Sequence, residues 1–97
     1  MPDLALFARI TPKPEHRDAA RAAIEEILPA TRAEPGCHRF TLLEGEGDDP
    51  SLYLYEVWED DDALDAHYAQ PYTRAVFAAY QAWLATPVEI TRLARID

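Results

Sequence analysis

Apolar side chains recur every second residue in several stretches of the chain, which is the period of a β-strand with one face turned inward. The predicted strands cover residues 4–10, 37–44, 52–59 and 88–96. Apolar residues at three- and four-residue spacing predict helices after the first and third strands. The predicted order of elements is therefore βαββαβ.

Proline and polar residues mark the ends of these elements. Pro14 followed by Glu15 suits a helix start, because this proline loses no hydrogen bond there and an acid meets the positive end of the helix dipole. Pro29 should kink the first helix or end its regular part, and Pro71 suits the first position of the last helical segment. The polar run 45–51 predicts a hairpin loop between strands two and three.

The βαββαβ order is typical of an α+β, ferredoxin-like fold, in which both helices cover one face of an antiparallel sheet. Residues 1–97 are expected to form a single domain. The face opposite the helices carries Phe7, Tyr53, Tyr55 and Val57, which are too apolar for a solvated surface. We therefore expect a homodimer in which two sheets pack face to face.

Composition and charge narrow the class of partner. Eighteen acidic residues against nine Lys and Arg give a formal charge of −9, so the mean field repels nucleic acid and anionic membranes. No apolar run approaches the ~20 residues of a membrane helix. With one cysteine, Cys37, and no leader-like pattern, the expected location is the cytoplasm.

The stretch YLYEVWEDDDALDAH, residues 53–67, holds the candidate chemistry. Glu56 lies between Leu54 and Trp58 on the strand face that should meet the helices, and the following helix turns His67 into the same space. A carboxyl group buried there needs a partner or a raised pKa, and a histidine can exchange a proton with a bound phenol. Structural roles for Glu56 and His67 stay open.

Motifs for metals and common cofactors are missing from the sequence. Asp60, Asp61 and Asp62 are explained as a helix N-cap with an acidic first turn. The histidines lack paired-ligand spacing, and the aspartates lack the calcium-loop pattern. Glycine motifs for dinucleotides or phosphates are absent as well. We expect no metal and no cofactor.

Three segments resemble the antibiotic biosynthesis monooxygenase family of small dimeric α/β-barrel proteins, which includes the quinol monooxygenases. They are TRAEPGCHRF (31–40), YLYEVWEDDDALDAH (53–67) and QPY (70–72), and the likeness spans nearly the whole chain. Monooxygenases of this family oxidise electron-rich phenols and quinols with molecular oxygen, without metal or flavin. The resemblance therefore implies a homodimeric, cofactor-independent enzyme acting on a small aromatic substrate.

For that reaction, His67 is the expected proton acceptor and Glu56 its orienting group. The expected substrate-binding residues are Trp58, Tyr72, His38, Leu6, Leu54 and Phe77, with Trp58 and Tyr72 as cavity walls.

Other functions stay open. An isomerase of phosphorylated signalling sugars in the same family shares the tyrosine-rich third strand, and its phosphate would need Arg9, Arg39 or Arg74. Haem degradation is disfavoured, because positions where that branch has Asn and His hold Leu6 and Phe77 here. A dimer that binds a small aromatic without reacting is the non-enzymatic alternative.

Overall fold

The structure, a computed structural model, describes residues 3–97. Its strands and helices are β1 (Leu4–Ile10), α1 (Arg17–Arg32), β2 (Cys37–Glu44), β3 (Leu52–Trp58), α2 (Asp61–Ala69), α3 (Pro71–Trp83) and β4 (Glu89–Ala94), with a 3-10 turn at Pro14–His16. The strands form an antiparallel sheet in the order β2-β3-β1-β4. The α+β, ferredoxin-like fold predicted from the sequence is confirmed.

The sheet buries one face against the helices. Along β3, buried residues alternate with half-buried ones from Leu52 to Trp58, as the two-residue period predicts. The core joins this face to the inner sides of the three helices. Its buried members are Leu6, Ala8, Ile10, Ala20, Ile24, Phe40, Leu52, Leu54, Trp58, Leu64, Val76 and Tyr80.

Helix α1 runs through Pro29 and continues to Arg32, so the proline does not end the helix as one of the sequence-based expectations had it. A proline inside a helix removes one hydrogen bond. Here the last turn is held by the burial of Thr31 and by the bond from the Ala33 amide to the Pro29 carbonyl, 3.1 Å long. Tertiary packing therefore outweighs the local preference.

The start of α2 sets the direction of the helix that carries His67. The Asp60 carboxylate accepts a 2.9 Å hydrogen bond from the amide of Ala63, which confirms the predicted N-cap. The helix ends at Ala69, and α3 begins at Pro71, as predicted. Two short helices at an angle thus replace one long helix, and both contribute side chains to the space above the sheet.

The opposite sheet face is left bare by the helices. Phe7 stacks on Tyr53 with ring centroids 5.4 Å apart, and the Arg39 guanidinium lies 5.8 Å from the centre of the Tyr55 ring. All six residues of the edge strand β4 are exposed. No helix within residues 3–97 has the length and apolar character needed to cross a membrane.

Candidate functional site

A cavity of about 40 Å³ lies between the sheet and the helices. The polar groups in its wall belong to Glu56, His67, Tyr68, Thr73 and Tyr80. The rest of the wall is apolar and consists of Ala8, Ile10, Ile24, Ile27, Phe40, Leu54, Val76, Phe77, Val88 and Ile90. The site is therefore an apolar chamber with a few convergent polar groups, the usual character of a small-molecule site.

His67 is held firmly near the end of α2. Its ring centroid lies 4.7 Å from that of Trp58 and 5.5 Å from that of Phe40, and its side chain is 4 % exposed. Nδ1 donates a 2.9 Å hydrogen bond to Oε2 of Glu34, because a carboxylate can only accept. With the proton fixed on Nδ1, Nε2 is left as the basic nitrogen of the ring.

Glu34 is the functional candidate that the sequence analysis missed. It follows the end of α1, and its Oε2 accepts both the His67 bond and a bond from the Tyr72 hydroxyl. Within residues 3–97, its Oε1 is buried without a hydrogen-bond partner. Its position just after the C-terminus of α1 could have indicated a special role, since a carboxylate is disfavoured at the negative end of a helix dipole. In the sequence analysis Glu34 appears only within the segment TRAEPGCHRF, residues 31–40.

Glu56 has a different environment from Glu34. It is 6 % exposed and accepts a 2.9 Å bond at Oε1 from the Trp58 indole nitrogen. Burial raises the pKa of its carboxyl group, and the nearby Glu34 raises it further. The indole bond and His67 act in the opposite direction. Glu56 was expected to orient the His67 ring. The carboxylate that is hydrogen-bonded to Nδ1 of His67 is instead that of Glu34.

The expected substrate-binding residues divide into two groups. Leu54 and Phe77 line the cavity. Trp58 and Leu6 are almost fully buried and lie outside the cavity wall, and Trp58 packs on His67 instead. Tyr72 borders a separate groove between α1 and α3. Trp58 and Tyr72 therefore contact His67, Glu56 and Glu34 rather than lining the cavity.

His38 points away from the cavity, contrary to expectation. Cys37 pairs with Trp58 and Arg39 pairs with Val57, so His38 is an extra residue in β2, a β-bulge. The bulge breaks the alternation that would have placed His38 on the same side as Phe40. Its side chain is 44 % exposed and lies 3.2 Å from the Asp3 carboxylate.

The phenols around the site stay protonated at neutral pH. Burial, followed by the hydrogen bond to Glu34, raises the pKa of Tyr72 to about 12. Burial also raises the pKa of Tyr80 and that of Tyr68, and in both cases Glu56 adds to the effect. Tyr68 and Tyr80 line the cavity, and their hydroxyls can donate hydrogen bonds to a bound anion. No group of three or more His, Cys, Asp or Glu that could hold a metal ion occurs in residues 3–97.

Comparison with known proteins gives consistent results. Residues 4–79 match the family model described as antibiotic biosynthesis monooxygenase. The Mycobacterium tuberculosis protein named "Putative monooxygenase Rv0793" is 36% identical over 94 residues, 97% of this chain and 92% of that protein. Its solved structure has a TM-score of 0.92 and covers 98% of this chain and 96% of its own.

Two further relatives extend the comparison. The crystal structure of PA3566 from Pseudomonas aeruginosa has a TM-score of 0.93 at 30% identity, and the match covers 100% of this chain and 97% of that one. The Bacillus subtilis protein YcnE is 26% identical over 89 residues, 92% of this chain and 94% of that protein. The family match covers well over half of the chain, runs from β1 into α3, and includes Glu34, Glu56 and His67. The chain belongs to the antibiotic biosynthesis monooxygenase family.

Proposed function

We propose that the protein is a cofactor-independent monooxygenase that oxidises a small phenol or quinol with molecular oxygen. The observation that carries the proposal is the buried His67, whose Nδ1 is bonded to Glu34 while the ring lines an apolar cavity. Family membership supports the reaction class. The histidine and its carboxylate supply the base that such a reaction requires.

Deprotonation is the step that His67 performs. Nε2 takes the phenolic proton, and the carboxylate of Glu34 stabilises the imidazolium that results. The phenolate is electron-rich enough to reduce dioxygen directly. For a quinol the balance is one quinol and one dioxygen giving one hydroxyquinone and one water, so one oxygen atom enters the ring and the other leaves as water.

The cavity wall favours this chemistry. Its apolar side chains exclude bulk water, so charge on the phenolate is stabilised by the fixed donors Tyr68, Thr73 and Tyr80 rather than by solvent. A volume of about 40 Å³ holds roughly three water molecules. An aromatic ring therefore enters only when side chains at the solvent side turn aside, and Phe77 and Ile90 are the exposed members of the wall. This limit favours substrates with a single ring.

The three arginines proposed for a sugar phosphate lie elsewhere. Arg9 bonds to Ser51 and lies near Asp49 and Glu89, Arg39 lies against Tyr55, and Arg74 is exposed on α3. None of the three belongs to the cavity wall. A doubly charged phosphate in this cavity would have no arginine partner, so the geometry favours a neutral aromatic substrate.

We also propose that the active form is a homodimer joined through the bare sheet face. Phe7, Leu43 and Leu93 leave 37%, 44% and 44% of their surface exposed on that face, and its tyrosines are only half-buried. A two-fold axis through the face would pair each apolar patch with its own copy. Light scattering tests the dimer, and a monomer at micromolar concentration would contradict it.

Oxygen uptake over a panel of single-ring quinols tests the reaction. The rate above the protein-free rate should fall about 100-fold or more in His67→Ala, because general bases contribute at least that much. His38→Ala is the matched control, since that histidine is exposed outside the cavity, and it should keep the parent rate. Equal rates for His67→Ala and the parent would remove His67 from the mechanism. If the parent protein consumes no oxygen with any quinol, the remaining interpretation is a protein that binds a small aromatic without reacting.

A further inference from the structure

We propose that Glu56 is the acid of the same reaction and gives its proton to the oxygen atom that leaves as water. This inference rests on the proposed monooxygenase function and adds a second catalytic residue to it. His67 and Glu56 would then divide the work between a base and an acid, as paired groups in contrasting environments do in other active sites.

The distribution of hydrogen bonds in the buried cluster assigns the proton to Glu56. Two carboxyl groups, those of Glu34 and Glu56, share the cluster with one imidazole, that of His67. The hydrogen bond of His67 goes to Glu34. Among the residues that the structure describes, Glu56 makes no ion pair, and its carboxyl receives its hydrogen bond from the neutral indole of Trp58. Glu34 accepts a second hydrogen bond, from the Tyr72 hydroxyl. A buried carboxylate with one neutral donor is costlier than one with two donors, so Glu56 is the group that is protonated.

Among the residues that the structure describes, the charges that act on the Glu56 carboxyl are those of His67 and Glu34, and no arginine is among them. Arg32 of α1 donates instead to the Phe40 carbonyl, 3.1 Å away. The titratable groups facing Glu56 from the packed elements are Glu34 after α1, Cys37 on β2, His67 and Tyr68 on α2, and Tyr80 on α3. Arg92 of β4 is bound to Asp61 at 2.7 Å. Burial and Glu34 raise the pKa of Glu56, in agreement with the assignment from hydrogen bonding.

The carboxyl group is also in the right place to act on a ligand. Glu56 lines the cavity together with His67. Its Oε1 is occupied by the indole bond, and within residues 3–97 no protein donor or acceptor is bonded to Oε2. The free oxygen therefore carries the proton at the wall of the chamber, where a ligand atom can receive it.

The second half of the reaction needs such a proton. Dioxygen adds to a ring carbon of the phenolate, and the peroxide oxygen takes the proton held on His67, giving a hydroperoxide. His67 then removes the hydrogen on that carbon as a proton, the electron pair of the C–H bond forms a C=O bond, and the O–O bond breaks. The departing oxygen takes the proton of Glu56 and leaves as water. His67 finally returns its proton to Glu56, which restores both groups.

Glu56→Gln tests the role directly, because an amide oxygen still accepts the indole bond but the side chain can give no proton as an acid. Without the acid, hydroperoxide leaves from carbon instead, so one quinol and one dioxygen give one quinone and one hydrogen peroxide. The assay measures oxygen consumed, hydroxyquinone formed, and oxygen returned on adding catalase, each corrected for protein-free autoxidation. We expect oxygen uptake within about tenfold of the parent rate, with hydrogen peroxide as the main product.

A second variant and a pH series separate an acid from a merely structural residue. Trp58→Phe removes the indole donor but keeps the acid, so it should still form hydroxyquinone and water. In the parent protein, the share of hydroxyquinone should fall as pH rises through the pKa of Glu56, and in Glu56→Gln it should be low at every pH.

Two results would overturn the inference, and they differ in what else they affect. Hydroxyquinone without hydrogen peroxide from Glu56→Gln, or a product ratio in the parent that is independent of pH, overturns the role of Glu56 alone. The pH dependence of the product ratio in the parent protein tests the role of Glu56 even when Glu56→Gln does not fold. Absence of oxygen uptake by the parent with every quinol overturns the proposed function, and the role of Glu56 with it.

Discussion

Substitution of Glu34 should lower the free energy of unfolding by a measurable amount. One oxygen of this buried carboxylate accepts hydrogen bonds from Nδ1 of His67 and from the hydroxyl of Tyr72. Glu34→Gln keeps an acceptor of the same shape but removes the charge. Glu34→Ala removes the acceptor from both donors, of which His67 is buried and Tyr72 is half-buried. The two variants should therefore lose different amounts of stability.

The magnitudes follow from the number of bonds. A hydrogen bond to a charged group contributes about 1 kcal/mol more than a neutral one, so two bonds give a loss of about 2 kcal/mol for Glu34→Gln. The buried His67 donor left unpaired costs roughly 1–3 kcal/mol, and loss of the bond from the half-buried Tyr72 hydroxyl costs roughly 1 kcal/mol, which gives about 3 kcal/mol for Glu34→Ala. That figure agrees with the roughly 3–5 kcal/mol lost when one partner of a buried pair is removed.

Urea unfolding followed by tryptophan fluorescence measures these losses, since Trp58 lies against His67. Protein concentration is held constant, because a dimer's stability depends on it. Glu46→Gln is the matched control, since Glu46 is an exposed glutamate in the 45–51 loop, and it should stay within about 0.5 kcal/mol of the parent. Losses of stability within the control's range for both Glu34 variants would contradict a stabilising role for these two hydrogen bonds.

Three more predictions test other parts of the account. The carboxyl of Glu56 has a higher pKa in the native state than in the unfolded state. The parent's free energy of unfolding should therefore fall relative to that of Glu56→Gln as pH rises above 4.5. A difference in urea midpoints that does not change with pH would contradict this. Gly36→Ala should lower the free energy of unfolding by about 1 kcal/mol or more beyond the loss in Gly47→Ala, as measured by thermal and urea unfolding. Both glycines have positive φ, but of the two only Gly36 would place a Cβ against another atom, 2.7 Å from the Cβ of Ala63. Equal losses would contradict the packing argument. Phe7→Asp should convert the dimer to monomers in light scattering by burying a charge at the proposed interface, and an unchanged mass would place the interface elsewhere.

The sequence predicted the fold well because each element carries consistent local signals. The Asp60 cap, the start of α3 at Pro71 and the 45–51 loop all lie where the turn chemistry placed them. The alternation on β3 correctly put Glu56 on the helix side. Periods of two and of three to four residues are local properties, and a chain with one core has few ways to combine them.

The site was harder to predict, because its key contacts join residues far apart in the sequence. Glu34 and His67 are separated by 33 positions, and no spacing rule links a residue after one helix to a residue on another. The bulge at His38 shifts the register by one residue, and such a shift reverses the face on which a side chain lies. The sequence shows which residues have suitable side chains for the chemistry, but only the structure shows which of them contact one another.

The central claim is that His67 takes the proton of a phenol bound in the cavity. The most direct test is the anaerobic absorption spectrum of a chromogenic phenol such as 4-nitrophenol, mixed with the protein at a pH below the phenol's own pKa. We expect the ligand to show the phenolate band when it is bound to the parent protein and the neutral phenol band when it is bound to His67→Gln. Neutral phenol bound to both proteins, or phenolate bound equally to both, would contradict the claim.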